Sequence, residues 1–273
     1  MILTPDGHRY VALAVGLRVP RPFNLRWLIP KLCGRSERRW KISTIAGVLA
    51  GAVGTALLAP TWQTALAAAL IFAALPMNRF NLLTPVLVDA PALAFAVLAA
   101  VAWSEGLWWL GILLALASGA TKETGPVFAA LYAWTPWLLI GLLAPFVRGL
   151  FATPGPDVID KPYADQPEVV ALCHRSTEHP LRTGWQIHRK MIWSPVMVLP
   201  WGGALVALTN LDLQLGVLLA VAYAQLLVAT DTVRLYQWAA PLMCVAAAGA
   251  VPVAWLPVLV VLTVWNPYAG NGV

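Results

Sequence analysis

Charge is scarce in this sequence. Asp, Glu, Lys and Arg make up 11% of its 273 residues. Between Ile42 and Phe146 the charged side chains are Arg79, Asp89, Glu105, Lys122 and Glu123, and from Pro195 to Val273 they are Asp212, Asp231 and Arg234. Soluble domains carry roughly 25% charged residues, so this shortage excludes an ordinary soluble globular protein. Cysteine is rare too. Cys33, Cys173 and Cys244 lie far apart without CxxC spacing, which excludes a disulfide framework or cysteine-built metal centre and leaves them as small apolar side chains. His174, His179 and His188 show no zinc spacing either. Apolar–polar alternation is missing, which excludes the strands of an outer-membrane barrel. No apolar run precedes the basic N-terminal block, so no cleavable signal peptide is expected.

Hydrophobic residues fill the gap, at 60% of the chain with a mean hydropathy of +0.73. Apolar runs separated by polar or Pro/Gly breaks fall at 42–59, 64–76, 90–104, 107–121, 126–147, 195–209, 213–229, 236–250 and 252–265. These read as helices, so the expected fold is all-α, a polytopic transmembrane bundle with its localisation in the bilayer. Several runs span ~22 Å, against a hydrocarbon thickness of ~30 Å. Helices that short leave polar ends below the membrane surface, where a cavity must hydrate them. The fourteen Trp residues read mainly as interfacial anchors. No internal repeat is visible.

The charge that exists is uneven. Residues 1–41 hold nine of the eighteen Lys and Arg and carry a net +7, whereas the rest of the chain sums to −1. Such a block suits lipid phosphates or an anionic substrate. Nucleic acid is a poor partner, since no RNA-binding or finger motif accompanies it. Two short amphipathic helices are expected there, around Arg9–Leu17 and Phe23–Cys33, lying along the interface. The chain thus divides into an interfacial segment 1–41, a transmembrane module 42–147, a polar loop 148–194 that is Pro-rich and irregular at first, and C-terminal transmembrane helices 195–273.

The isolated charges each have two readings, because an ionisable group inside a bundle costs a few kcal/mol and needs a reason to be there. Asp6, ahead of a helix, is an N-cap or a reactive carboxylate. Asp89, in Val88-Asp89-Ala90-Pro91, is a helix cap that also faces whatever that end lines. Lys122 and Glu123 sit at a helix junction, where they either pair with Arg79 and Asp89 or leave the Lys122 ammonium to hold a phosphate. Arg234 either pairs with Asp231 in a loop or grips an anionic oxygen with its guanidinium fork.

Five segments, taken in order, resemble one family. Asp6-Gly7-His8-Arg9-Tyr10, Pro22-Phe23-Asn24-Leu25-Arg26-Trp27, Val88-Asp89-Ala90-Pro91, Ala120-Thr121-Lys122-Glu123-Thr124 and Asp231-Thr232-Val233-Arg234-Leu235-Tyr236 are similar to motifs of the GT-C superfamily. Its members are polytopic glycosyltransferases that use polyprenyl-phosphate-linked sugars. The resemblance implies transfer of a sugar to a hydroxyl of a protein, lipid or glycan acceptor on the extracytoplasmic side, with Asp6 and Asp89 catalytic and Asp6 the general base. It implies that Lys122, Arg234 and, less directly, Arg26 face the donor phosphate, supported by Glu123, Asp231, Tyr236, His8 and Arg79. It also admits a divalent cation, Mg or Mn, at Asp6 and Asp89.

The chemistry suits these residue types, since glycosyl transfer needs a base for the acceptor proton and positive groups on the departing phosphate. The family's usual first transmembrane helix has no counterpart ahead of Asp6. A helix break at Thr135-Pro136, where proline removes a backbone donor, makes six spans before the polar loop and brings Asp6, Asp89, Lys122 and Arg234 to one face. The positive-inside rule opposes that placement, because it puts residues 1–41 in the cytoplasm. Two further functions fit the composition: a transporter or flippase for an anionic lipid-linked substrate, with Arg79, Asp89, Lys122 and Arg234 as its pathway, and a non-catalytic membrane scaffold whose charges are caps and ion pairs.

Overall fold

A computed structural model describes residues 4–189, 198–227 and 236–266. All regular structure among them is helical. Thr4 caps helix α1 (Pro5–Ala14) by accepting from the Gly7 amide, with Pro5 in the first turn. The helix therefore starts four residues before the expected Arg9, and Thr4 takes the capping role that was one reading of Asp6. Gly16, at φ +85°, turns the chain after α1, a left-handed conformation open to glycine. The expected helix around Phe23–Cys33 is divided into a 3-10 turn, Phe23–Leu25, and α2 (Leu28–Cys33).

The apolar runs form α3 (Glu37–Leu57), α4 (Trp62–Ala74), α5 (Pro76–Leu83), α6 (Asp89–Ser104), α7 (Trp108–Thr121) and α8 (Gly125–Tyr132). Side chains of Ser36 and Thr61 cap α3 and α4. After α8 the chain breaks at Thr135, whose extended backbone (φ −140°, ψ 135°) precedes Pro136. A 3-10 segment, Pro136–Leu142, then leads into α9 (Leu143–Phe151). Irregular chain follows to Gln166, but the second half of the expected 148–194 loop is helical, as α10 (Pro167–Glu178) and α11 (Pro180–His188). Proline in the first turn starts each of these helices, which the polar composition concealed. The C-terminal part holds a 3-10 segment kinked at Gly202 (Leu199–Asn210), α12 (Leu213–Ala224), and helices Ala240–Gly249 and Leu256–Val264.

Helix α6 is the central element. It packs on α3, α7 and α8, and Ala92, Ala96, Ala99 and Ala100 on it are fully buried. Small residues permit that closeness. A Cβ at Gly47 of α3 would lie 2.6 Å from the Pro91 backbone nitrogen, and one at Gly54 would lie 2.7 Å from Val97 Cγ1. The outward side of α3 carries Ile42, Ile45, Leu49, Val53 and Leu57, all exposed. Bulky apolar residues outside and glycines inside reverse the arrangement of a soluble amphipathic helix.

Length decides how many helices cross a bilayer unaided. Among the described helices, α3 alone is long and apolar enough, and α4 with α5 makes a second if the pair, bent by 51°, is taken as one span. The six spans expected before residue 148 are not all present as full-length helices. α6, α7 and the Pro136–Phe151 pair are apolar but shorter. Two cores result. The larger joins α4, α6, α8 and the C-terminal helices, and the smaller gathers Tyr10, Phe23, Ile29 and Trp40 with Val86, Leu87 and Val88 beneath the N-terminal segment.

Candidate functional site

The smaller core fixes α1 over the N-terminal end of α6, and the buried charges collect around that junction. Arg9, 3% exposed, donates from Nε to Asp157 Oδ1 at 3.0 Å, from Nη2 to Asp157 Oδ2, and from Nη1 to Asp6 Oδ1 at 3.2 Å. Asp157 completes a two-pronged grip across 148 residues, the geometry that favours arginine over lysine. Asp6 lies in the first turn of α1, where the helix dipole favours a carboxylate. Its side chain is 25% exposed, and Tyr163 and Cys173 feel its charge. Burial raises the Cys173 thiol, and the negative charges of Asp6 and Asp157 add to this against the lowering influence of Arg9. His8 meets the Tyr163 ring edge-on, with centroids 5.6 Å apart, and burial lowers its imidazole from 6.5.

Phe23 lies between two guanidinium groups, with the Arg9 carbon 4.5 Å and the Arg26 carbon 5.2 Å from its ring centre. Arg26 donates to the Tyr10 hydroxyl at 2.8 Å and, through Nε and Nη2, to both carboxylate oxygens of Glu123 at 2.8 and 2.5 Å. The neighbouring Lys122 is the C-cap of α7, in extended backbone. Its ammonium pairs with Asp89, which is fully buried in the first turn of α6. Asp89 is thus not the cap, because Val88 holds that position. Arg79, the expected partner of this group, instead donates to the Val264 carbonyl.

Trp238 stands beside the pair, with its ring centre 5.7 Å from Lys122 Nζ. The Trp238 ring stacks on Phe128 at 5.1 Å, and its carbonyl accepts from the Tyr132 hydroxyl. Gln237 Oε1 accepts from Asn81 at 2.9 Å. Trp238 Nε1 and Gln237 Nε2 are both buried without an acceptor. A buried N–H left in this state forfeits a hydrogen bond, so the Trp238 donor, on a ring beside Lys122, needs an explanation. Sequence reasoning missed Gln237, Trp238 and Asp157 as site residues, since Asp157 is one charge among several in a polar stretch and Gln237 and Trp238 carry none.

Tyr236 is fully buried away from solvent, with its ring 4.8 Å from Tyr223 and 5.9 Å from Trp201, and so belongs to the larger core. Arg234 and Asp231 lie outside the described residues. Among the described residues no group of three or more His, Cys, Asp or Glu converges as a metal site. Asp6 and Asp89 also pair with different side-chain cations, Arg9 and Lys122, so they do not form a shared donor set for a Mg or Mn ion. Comparison with protein-family models, curated proteins and solved structures finds no match to this chain.

Proposed function

We propose that this chain is an integral-membrane glycosyltransferase of the GT-C type, moving a sugar from a polyprenyl phosphate to a hydroxyl acceptor on the extracytoplasmic side. The observation that carries the proposal is the buried, acceptor-less Trp238 Nε1, on a ring that stands beside Lys122 of the Lys122–Asp89 ion pair. A donor phosphate supplies an oxygen acceptor for the Trp238 N–H and a second anion for Lys122. Asp6, partly exposed and oriented by Arg9, takes the acceptor proton as the acceptor oxygen bonds to the sugar carbon and the sugar–phosphate bond breaks, releasing the polyprenyl phosphate. Arg26 and Asp89 act in this reading as positioning residues, Arg26 by fixing Glu123 next to Lys122. Arg234 is assigned to the donor phosphate by the resemblance alone.

The inverted face of α3 supports the membrane part of the proposal, since an exterior of leucine, isoleucine and valine matches hydrocarbon. One observation favours the scaffold alternative: Arg9, Arg26 and Lys122 each already meet a carboxylate. Asp6→Asn separates the two. The purified variant is expected to bind a polyprenyl-phosphate sugar as the wild type does, while transfer falls by roughly 10²–10⁴. Unchanged turnover removes Asp6 from the mechanism, and a wild-type protein that neither binds nor turns over the donor leaves the scaffold reading.

A further inference from the structure

A groove of about 230 Å³ opens between the end of α1, the Phe23–Leu25 turn and the end of α9. Its polar lining includes Arg18, Arg148 and Asn24, and no carboxylate contributes to it. The rim is apolar. Leu17 and Phe151 line it and are 55% and 80% exposed, while Leu150 beside Phe151 is exposed as well. The floor is built rather than incidental. Asn24 is 2% exposed, its Nδ2 reaches the Ala152 carbonyl at 3.4 Å, and its Oδ1 is buried without a donor. Arg148 Nε spans to the Asn24 carbonyl at 3.4 Å, and Gly155 N donates to the Val19 carbonyl at 3.1 Å, tying the two walls together. Any Cβ at Gly155 would fall 2.4 Å from Arg18 Cβ, so the chain runs directly along the Arg18 backbone.

We propose that this groove binds the head group of an anionic phospholipid that carries a free hydroxyl. The phosphate lies between the Arg18 and Arg148 guanidinium groups, whose forks match its oxygens. The head-group hydroxyl donates to Asn24 Oδ1, satisfying the orphan acceptor. The acyl chains leave over Leu17 and Phe151, where exposed apolar side chains beside cations match the boundary between head groups and hydrocarbon. The inference rests on the membrane reading above and is independent of sugar transfer.

The test measures lipid retention by native mass spectrometry on the full chain released from nanodiscs made either of phosphatidylcholine alone or with one-fifth phosphatidylglycerol, which has both the phosphate and free hydroxyls. The wild type is expected to retain phosphatidylglycerol over phosphatidylcholine. Arg18→Gln and Arg148→Gln, with unchanged melting in the same discs, are expected to retain it about tenfold less. In discs that also contain phosphatidic acid, whose head group has no alcohol hydroxyl, the wild type is expected to prefer phosphatidylglycerol and Asn24→Ala to lose that preference. Equal retention by wild type and both arginine variants overturns the proposal. Binding of glycerol 3-phosphate as tight as that of the lipid moves the ligand to a soluble phosphate ester and overturns the lipid assignment. A chain that stays monodisperse without detergent or disc fails the membrane reading instead, so the two failures are distinguishable.

Discussion

Lys122 and Asp89 form a deeply buried ion pair at the charged junction, at the meeting of two helix ends. Removing one partner strands a charge, whereas removing both strands none. Asp89→Asn is therefore expected to destabilise the protein by about 3–5 kcal/mol, and Asp89→Asn combined with Lys122→Met to cost clearly less than the two single changes added together. Thermal unfolding of the four proteins in one detergent measures the coupling, and strict additivity would show that the pair contributes nothing as a pair. His8 gives a pH-dependent counterpart. Its folded-state pKa lies below 6.5 because of burial, so as pH falls the unfolded chain takes up the proton first. The stability His8 contributes is present above about pH 6.5 and is lost below it. His8→Gln is expected to flatten that part of the melting profile between roughly pH 7 and 5, and an unaltered profile would place the titration on other groups.

At the scale of helices, backbone contact sets the tolerance to even one methyl group. Gly47→Ala places its Cβ 2.6 Å from Pro91 N and 2.8 Å from the Ala90 carbonyl carbon. Backbone cannot rotate aside, so α3 and α6 must separate, at about 1–3 kcal/mol. Gly216 lies within α12 with nothing near its would-be Cβ, and Gly216→Ala is expected to be neutral or to stabilise by up to about 1 kcal/mol. Chemical unfolding of both variants checks the contrast, and equal effects would mean that helix propensity outweighs packing here. The sequence makes this level largely legible. Ser36, Thr61 and Asp212 mark helix starts by their hydroxyl or carboxylate caps, and Pro136 marks the break after α8. It reveals far less of the pairing between elements. The Arg9–Asp157 grip spans 148 residues, and the position of Trp238 over Lys122 depends on how distant helices dock, which no local spacing encodes. Helices α10 and α11 were hidden for another reason, because polar residues dominate a helix lying at the edge of a fold as much as they dominate a loop.

For the molecule as a whole, the decisive feature is an exterior that carries leucine, isoleucine, valine and tryptophan, while alanine and glycine line the close contacts of α6 with α3. In water such exposed side chains would call for a partner, whereas in hydrocarbon the same surface needs no cover. Close packing of small residues then becomes the main source of association between helices, since lipid tails are as apolar as leucine. The prediction is spatial. A spin label at Leu49→Cys, on the exposed side of α3, is expected to show high accessibility to oxygen, which partitions into hydrocarbon, and low accessibility to a water-soluble nickel chelate. At Ala52→Cys, three residues on and buried, both accessibilities should be low. A label at Lys41→Cys, exposed at the charged start of the same helix, should favour the nickel chelate, because a bilayer spanned by α3 leaves that end in the head-group region. High nickel accessibility at Leu49→Cys in reconstituted protein would place this face in water and overturn the reading of α3 as a membrane span.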